Sequence, residues 1–274
     1  MAPFRRFALG FGPVIREALD ALASLVFPAP CRICESTLTT ASRIPVCSTC
    51  LDSLKPLTGA ACQKCGRPFA SAVAAAVPQP LCHLCRRDVY NFDLARSFAA
   101  YTDAMVRAIV LLKYHQVTPL GAWFAARLAE MVALNPEMLA ADVVVPVPLH
   151  VTRLRERGFN QAELIARPLA KRLGLPLRSY LLVRTKPRPE KLKLTRQERW
   201  RTVRGAYAMR TEAKIDKLRV LLVDDVFTTG ATLDACARAL RKAGAGRIVA
   251  LTVARVAPEW QPVASPEIAE LAED

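Results

Sequence analysis

The 274 residues are 52% hydrophobic and carry 39 Lys and Arg against 24 Asp and Glu, a formal net charge of +15. That is enough apolar material for one large domain, or for a domain with a small module. No stretch approaches the roughly 20 consecutive apolar residues of a helical membrane span, which excludes such a span within these residues.

The charge is uneven. From Val256 onward there are five acids and no Lys or Arg. An acidic, solvated tail is therefore predicted over 257–274, and the remaining body is more basic than the total. A basic body attracts phosphates, whether of nucleotides, nucleic acid or anionic lipid; plain solubility is the competing reading.

In chain order, "MAPFRRFALGFGPVIREALDALASLVF" comes first. Two arginines and an apolar run resemble an export signal, but Arg16, Glu17 and Asp20 break that run early. Ile15, Leu19, Leu22 and Val26 recur at helical spacing instead. An amphipathic helix is predicted over 1–28, docking on the protein, a partner or a membrane surface, and a cytoplasmic location is expected.

Eight of the nine cysteines then fall in four CxxC pairs: Cys31/Cys34, Cys47/Cys50, Cys62/Cys65 and Cys82/Cys85. Two intervening residues let both thiolates turn toward one ion, and a tetrahedral zinc takes two such pairs. The pairs predict two structural zinc sites in a double ribbon over 29–90. Sequential pairing and an interleaved cross-brace both satisfy the count. Disulfides rank below zinc without an export signal, and iron–sulfur ligation or a redox CxxC ranks lower still. Gly66, directly after the second ligand of "CQKCGRPF", permits the knuckle turn. His83 reads as a surface residue, and Cys236 as core.

Beyond Cys85 the texture changes. "LARSFAAY" reads as a strand, while "DAMVRAIVLLKYH" and "LGAWFAARLAEMVAL" have helical periodicity. "ADVVVPVP" is a short apolar strand. "FNQAELIARPLAKRLG" is helical, with Pro168 placed near a first turn or a kink. "LRVLLVDD", "GATLDACARALRKAG" and "RIVALTVAR" read as strand, helix, strand. This alternation predicts an α/β domain over 91–256, its mostly parallel sheet covered by helices on both faces. Ligands of such sheets sit beyond the carboxyl ends of the strands, where Asp224 and Asp225 fall.

The turn after those acids, Thr228 to Thr232, opens a helix. Backbone N–H groups converging at a helix N-terminus suit a phosphate, and Gly230 lets the chain approach closely. The segment matches neither a Walker loop nor GxGxxG. Adjacent carboxylates before a phosphate grip suit the two hydroxyls of a ribose 5-phosphate. An acidic strand end that merely caps a helix is the bland alternative.

Val220–Thr232 resembles the phosphoribosyl pyrophosphate motif of type I phosphoribosyltransferases. With the four CxxC pairs, "LLKYH", "DVVVPVPLH" and "RERGFNQAELIA" in that order, nearly the whole chain resembles the ComF family. The resemblance implies a phosphoribosyltransferase fold behind a double zinc ribbon. It implies Asp224 and Asp225 as the residues holding the ribose. Val226, Phe227, Thr228, Thr229, Gly230, Ala231 and Thr232 would grip the 5-phosphate, and Pro146, Val147 and Pro148 would form the pyrophosphate loop. Arg153, Arg155 and Arg157 follow that loop and are placed to balance diphosphate charge, or else form a solvated helix face. The basic run Arg184–Arg204, which includes Arg199, corresponds to a mobile hood; a disordered loop and a single-strand track with Trp200 or Tyr207 for stacking are its alternatives. Lys191 and Thr202 depart from the Gln and Asn that relatives often carry.

Mg2+ is the implied partner of the diphosphate. The family is associated with uptake of single-stranded DNA in natural transformation, which makes DNA and the uptake machinery expected partners. Two other functions fit the same residues. One is a phosphoribosyltransferase of nucleotide metabolism acting on a nitrogen acceptor; the other is a non-catalytic sensor of phosphoribosyl pyrophosphate.

Overall fold

A computed structural model describes residues 29–38, 42–69, 78–187, 195–210 and 215–256. The predicted N-terminal helix and acidic tail lie outside these residues, as does most of the "SAVAAAVPQP" insert. Contacts divide the chain into two compact units that meet between Ser53 and Leu54. The first cysteine cluster belongs to the smaller unit with helix α1 (Ser48–Ser53). The second cluster, with the short α2 (His83–Arg86), belongs to the larger unit. The break in contacts therefore falls between the two ribbons.

The larger unit is built on a four-stranded sheet in the order β1-β6-β5-β2, with every pair parallel. The strands are β1 (Leu94–Ala100), β2 (Val143–Pro146), β5 (Arg219–Phe227) and β6 (Arg247–Arg255). β2 is buried at every position, and β5 is buried from Val220 to Asp225. Such continuous apolar runs, in place of alternation, mark strands covered on both faces. The covering helices are α3 (Asp103–Tyr114), α4 (Pro119–Leu134), α6 (Gln161–Leu173) and α8 (Ala231–Lys242). The helices and strands read from "DAMVRAIVLLKYH" through "RIVALTVAR" are thus the observed ones.

Several elements, α1 and α2 among them, were not read from the sequence. A short helix α5 (Val151–Arg157) follows the "VPVPLH" loop with none of its residues buried. A two-stranded antiparallel hairpin joins β3 (Leu182–Arg184) to β4 (Tyr207–Met209), and helix α7 (Arg196–Val203) lies between them. α7 starts with a full capping box between Thr195 and Glu198, which satisfies two of its free N–H groups.

Pro168 also differs from expectation, for it lies well inside α6 and not in its first turn. Proline removes the hydrogen bond that Leu164 carbonyl would otherwise accept. That carbonyl faces α4, where a Cβ on Gly121 would come within 2.7 Å of it. The missing side chain lets the two helices close over an oxygen that the proline leaves free.

The second knuckle is tied to the sheet by backbone bonds. Ala95 N–H donates to Lys64 carbonyl at 2.8 Å, and Arg96 donates to Gln63 carbonyl at 3.0 Å. Gly66 has φ +71°, and a Cβ there would meet Ala95 carbonyl at 2.7 Å. The equivalent residue of the first knuckle, Glu35, also takes a left-handed φ, of 65°.

Candidate functional site

The cysteines assemble as Cys31, Cys34, Cys47, Cys50 and as Cys62, Cys65, Cys82, Cys85. This is the sequential pairing, and no cysteine is in a disulfide. Within each cluster all sulfurs lie within 4.8 Å of one another. Zn–S bonds of about 2.3 Å give a tetrahedron with edges of about 3.8 Å. The Cys34–Cys47 and Cys65–Cys82 sulfurs are 3.7 Å apart. Backbone N–H groups of Cys47 and Cys82 point at Cys31 and Cys62 sulfurs at 3.3 Å, as second-shell donors to metal-bound thiolates do. Ser36 brings the exposed Cys34 thiol down to about 6 through a hydrogen bond. Donor set, spacing and supporting bonds all fit two zinc ions. Cys236 is fully buried on α8 itself and belongs to neither cluster.

The second constellation lies at the carboxyl ends of β2 and β5, where Pro146 pairs with Val223. An open cleft of about 120 Å³ is walled by Asp224, Asp225 and Val226 from β5 and by Thr228 and Thr232 from the following turn. Val147, Pro148 and Leu149 of the loop after β2 form another side. Asn160 donates to Val147 carbonyl at 2.9 Å and caps α6 through Ala162 N–H, fixing that loop to the helix that follows. The remaining walls come from Lys113, Gln161, Arg184, Arg199 and Tyr207.

Gly230 takes φ +79° as the N-cap of α8. A side chain there would meet Phe227 and Tyr90 rings at 2.7 Å, so glycine is required by conformation and by space together. Thr229 Oγ1 accepts from Ala231 N–H at 3.3 Å. The N–H groups of a first helical turn have no intrahelical acceptor, and here they open beside the two Thr side chains that wall the cleft.

Both acids are buried, and their surroundings separate them. Lys113 Nζ lies 2.7 Å from Asp225 Oδ2, and both side chains are under a tenth exposed. The contact lacks hydrogen-bond angles, so Asp225 Oδ2 keeps lone-pair capacity inside the cleft. Burial alone would push Asp225 up, but the Lys113 charge and the hydrogen bond from Val226 N–H outweigh it and hold its carboxyl below the usual range. Burial and the neighbouring Asp225 charge push Asp224 well above that range. Asp224 Oδ1 accepts from Asp225 N–H at 3.0 Å. One carboxylate is thus firmly ionised, and its neighbour holds a proton readily.

Of the residues expected from the sequence, Asp224, Asp225, Val226, Thr228, Thr232, Val147, Pro148 and Arg199 meet at the cleft. Pro146, Thr229, Gly230 and Ala231 shape it from within the strand end and turn. Phe227 faces the other way, buried beneath Gly230. Arg153 and Arg157 do not line the cleft. Arg153 contacts Glu156 along α5 at 3.4 Å, while Arg157 donates to Gln161 at 2.8 Å and lies 5.0 Å from the Tyr114 ring. Tyr207 is buried in the wall, and the half-buried Trp200 leans on Tyr90 with ring centroids 6.0 Å apart. Lys113 and Gln161 carried no role of their own in the sequence reading, whereas Arg184 was expected in the basic hood and Tyr207 as a stacking residue. Lys113 had a signal: a lone charge in an otherwise apolar, buried helix run demands an acidic partner.

Comparison with known proteins accounts for both constellations. A family model described as "Double zinc ribbon domain" matches residues 22–86, and one described as "Phosphoribosyl transferase domain" matches 160–268. Competence protein ComFC of Bacillus subtilis is 30% identical over 203 residues, covering 73% of this chain and 79% of the relative. The chain belongs to the ComF family. Another relative, "DNA utilization protein YhgH" of Salmonella typhimurium, is 29% identical over 227 residues, covering 82% of this chain and 96% of its own length. Among solved structures, a purine phosphoribosyltransferase of Pyrococcus horikoshii aligns with a TM-score of 0.32 at 18% identity, over 52% of this chain and 92% of that one. This ComF-family chain is accordingly a phosphoribosyltransferase-like protein with a double zinc ribbon. No described helix is long and apolar enough to cross a membrane.

Proposed function

We propose that the cleft binds phosphoribosyl pyrophosphate with Mg2+, and that the protein serves the handling of single-stranded DNA taken up from outside the cell. The observation carrying the first half is the charge order across one cleft. An ionised Asp225 held by Lys113 and a proton-sharing Asp224 stand at the strand end. The Thr228–Thr232 turn follows, and Arg184 and Arg199 face it from the hairpin and α7. Carboxylates accept from vicinal hydroxyls, the turn takes the 5-phosphate, and the arginines meet the diphosphate.

Among the described residues, no third His, Cys, Asp or Glu joins the two aspartates as a possible metal ligand. That suits Mg2+, which favours one or two carboxylates together with substrate phosphate oxygens. When bound, it would neutralise charge on the departing diphosphate. Asp224 and Asp225 would hold the ribose through its hydroxyls while the C1–O bond breaks toward an oxocarbenium-like sugar. The arginines would stabilise the leaving group, and the hairpin with α7 would exclude water.

The second half draws on relatives named for competence and for DNA utilization and on the excess of positive charge. A surface feature fits it: Tyr180 is 71% exposed, with Arg210 5.6 Å from its ring.

Calorimetry with phosphoribosyl pyrophosphate and Mg2+ tests the cleft. Binding by the wild type and at least tenfold weaker binding by Asp224→Asn, with unchanged zinc content, are expected. Absence of heat at millimolar ligand would refute this reading. Release of pyrophosphate on adding candidate nitrogen acceptors separates a transferase from a sensor.

A further inference from the structure

Arg255, the last residue of β6, is a buried cation at 4% exposure. Its Nη1 donates to Cys65 carbonyl at 2.7 Å and its Nη2 approaches Cys65 sulfur at 3.5 Å. Among the described residues, no carboxylate pairs with it. A buried guanidinium needs a counter-charge, and four thiolates around one Zn2+ carry a net charge of −2. Arg96, with bonds to Ala95 and Gln63 carbonyls, supplies a second cation beside the same cluster.

On its other side Arg255 covers an aromatic ring that underlies the turn after Asp225. Its guanidinium carbon lies 3.9 Å from the Phe227 ring centroid. Phe227 is fully buried under Gly230, whose absent Cβ would touch both Phe227 and Tyr90. Tyr90, five residues beyond the last cysteine, donates to Thr229 carbonyl at 3.1 Å. A short chain of contact, Cys65–Arg255–Phe227–Gly230, therefore joins the second cluster to the turn after Asp225, and Tyr90, five residues along the chain from Cys85, reaches Thr229 of the same turn.

We propose that Arg255 is a positioning residue that couples metal at the second cluster to the shape of the Thr228–Thr232 turn. With zinc bound, the thiolates hold the guanidinium inside, and the guanidinium covers Phe227 and so supports Gly230. Without the metal, Cys65 is no longer held in place, Arg255 loses the anchor that its carbonyl and sulfur provide, and the turn loses its support. By linkage, a ligand on the turn slows metal loss from this cluster. The first cluster lies in the other unit and serves as an internal control. The ligand half of the proposal rests on the cleft reading above; the metal half does not.

The test uses the full chain. Zinc release into excess chromogenic chelator is followed with and without ribose 5-phosphate, for wild type, Arg255→Met and Arg255→Lys. Two release phases are expected. Arg255→Met should accelerate one phase about 10–100-fold, the range for loss of a group supporting a metal ligand, and leave the other unchanged. Arg255→Lys, which keeps the charge, should fall between. Ribose 5-phosphate should slow only the phase that Arg255→Met accelerates. Hydrogen exchange at amides 228–233 of the wild type should rise when the chelator strips that phase. Unaltered release in both variants, or exchange at the turn indifferent to zinc, overturns the proposal. If the wild type shows no effect of ribose 5-phosphate while exchange at the turn still follows zinc, the cleft reading fails and the coupling stands.

Discussion

Asp224 and Asp225 are adjacent, identical and equally buried, yet their replacement should have opposite effects on stability. Asp225→Asn removes the carboxylate that lies 2.7 Å from Lys113 Nζ and leaves an ammonium buried at 5% exposure. Breaking one side of a buried ion pair costs about 3–5 kcal/mol. In a unit of this size each kcal/mol lowers the melting temperature by roughly 2–4 °C, so a fall of roughly 6–20 °C is expected by calorimetry or circular dichroism. Asp224→Asn removes a carboxylate that burial and its neighbour already disfavour, and should leave stability equal or higher at neutral pH. The double variant Lys113→Met/Asp225→Asn should regain most of the loss, because an apolar replacement removes the stranded charge. Equal destabilisation by the two single variants would refute the asymmetry, as would a double variant no better than Asp225→Asn.

The same pair gives a pH signature. The folded Asp224 binds its proton above the ordinary value of 3.8, so its penalty grows as pH rises from there through the raised folded value. Asp224→Asn should therefore gain on the wild type as pH rises from about 4 toward neutrality in urea titrations. Asp225 works the other way: its contribution is present above 3.8 and lost as pH falls through its lowered folded value. Gly230→Ala should abolish sugar-phosphate heat while zinc stays at two per chain, since its Cβ would strike two rings at 2.7 Å. Gly66→Ala should lower stability by at least ~1–2 kcal/mol for the left-handed φ alone; a neutral result in urea titrations would refute the need for glycine at this turn. Tyr180→Ala should weaken single-stranded DNA binding by ~1–3 kcal/mol, with little change in its salt dependence.

The strands and covering helices were legible because their apolar runs are continuous, and the paired aspartates because they interrupt such a run at its end. Local pattern could not show that Lys113, on a helix over a hundred residues earlier, comes to face Asp225; only the parallel packing of α3 beside β5 does that. Arg153 and Arg157 follow the "VPVPLH" loop in sequence, but α5 turns them to its own surface, whereas Arg184 reaches the cleft from a hairpin whose three-residue strands are too short to give a period. Tyr207 and Trp200 looked like stacking platforms because a basic run surrounds them, and burial gives them to the wall and the core. Pro168 misled for a similar reason: the partner that tolerates it, Gly121, sits on another helix.

The two knuckles share one backbone turn but stand under different constraints. Where the first accepts Glu35, the second has Gly66 closed against the sheet. A chain started at Leu54 should fold and keep one metal, whereas no cut after Cys85 should leave the cleft intact. The second ribbon is thus masonry of the sheet it abuts.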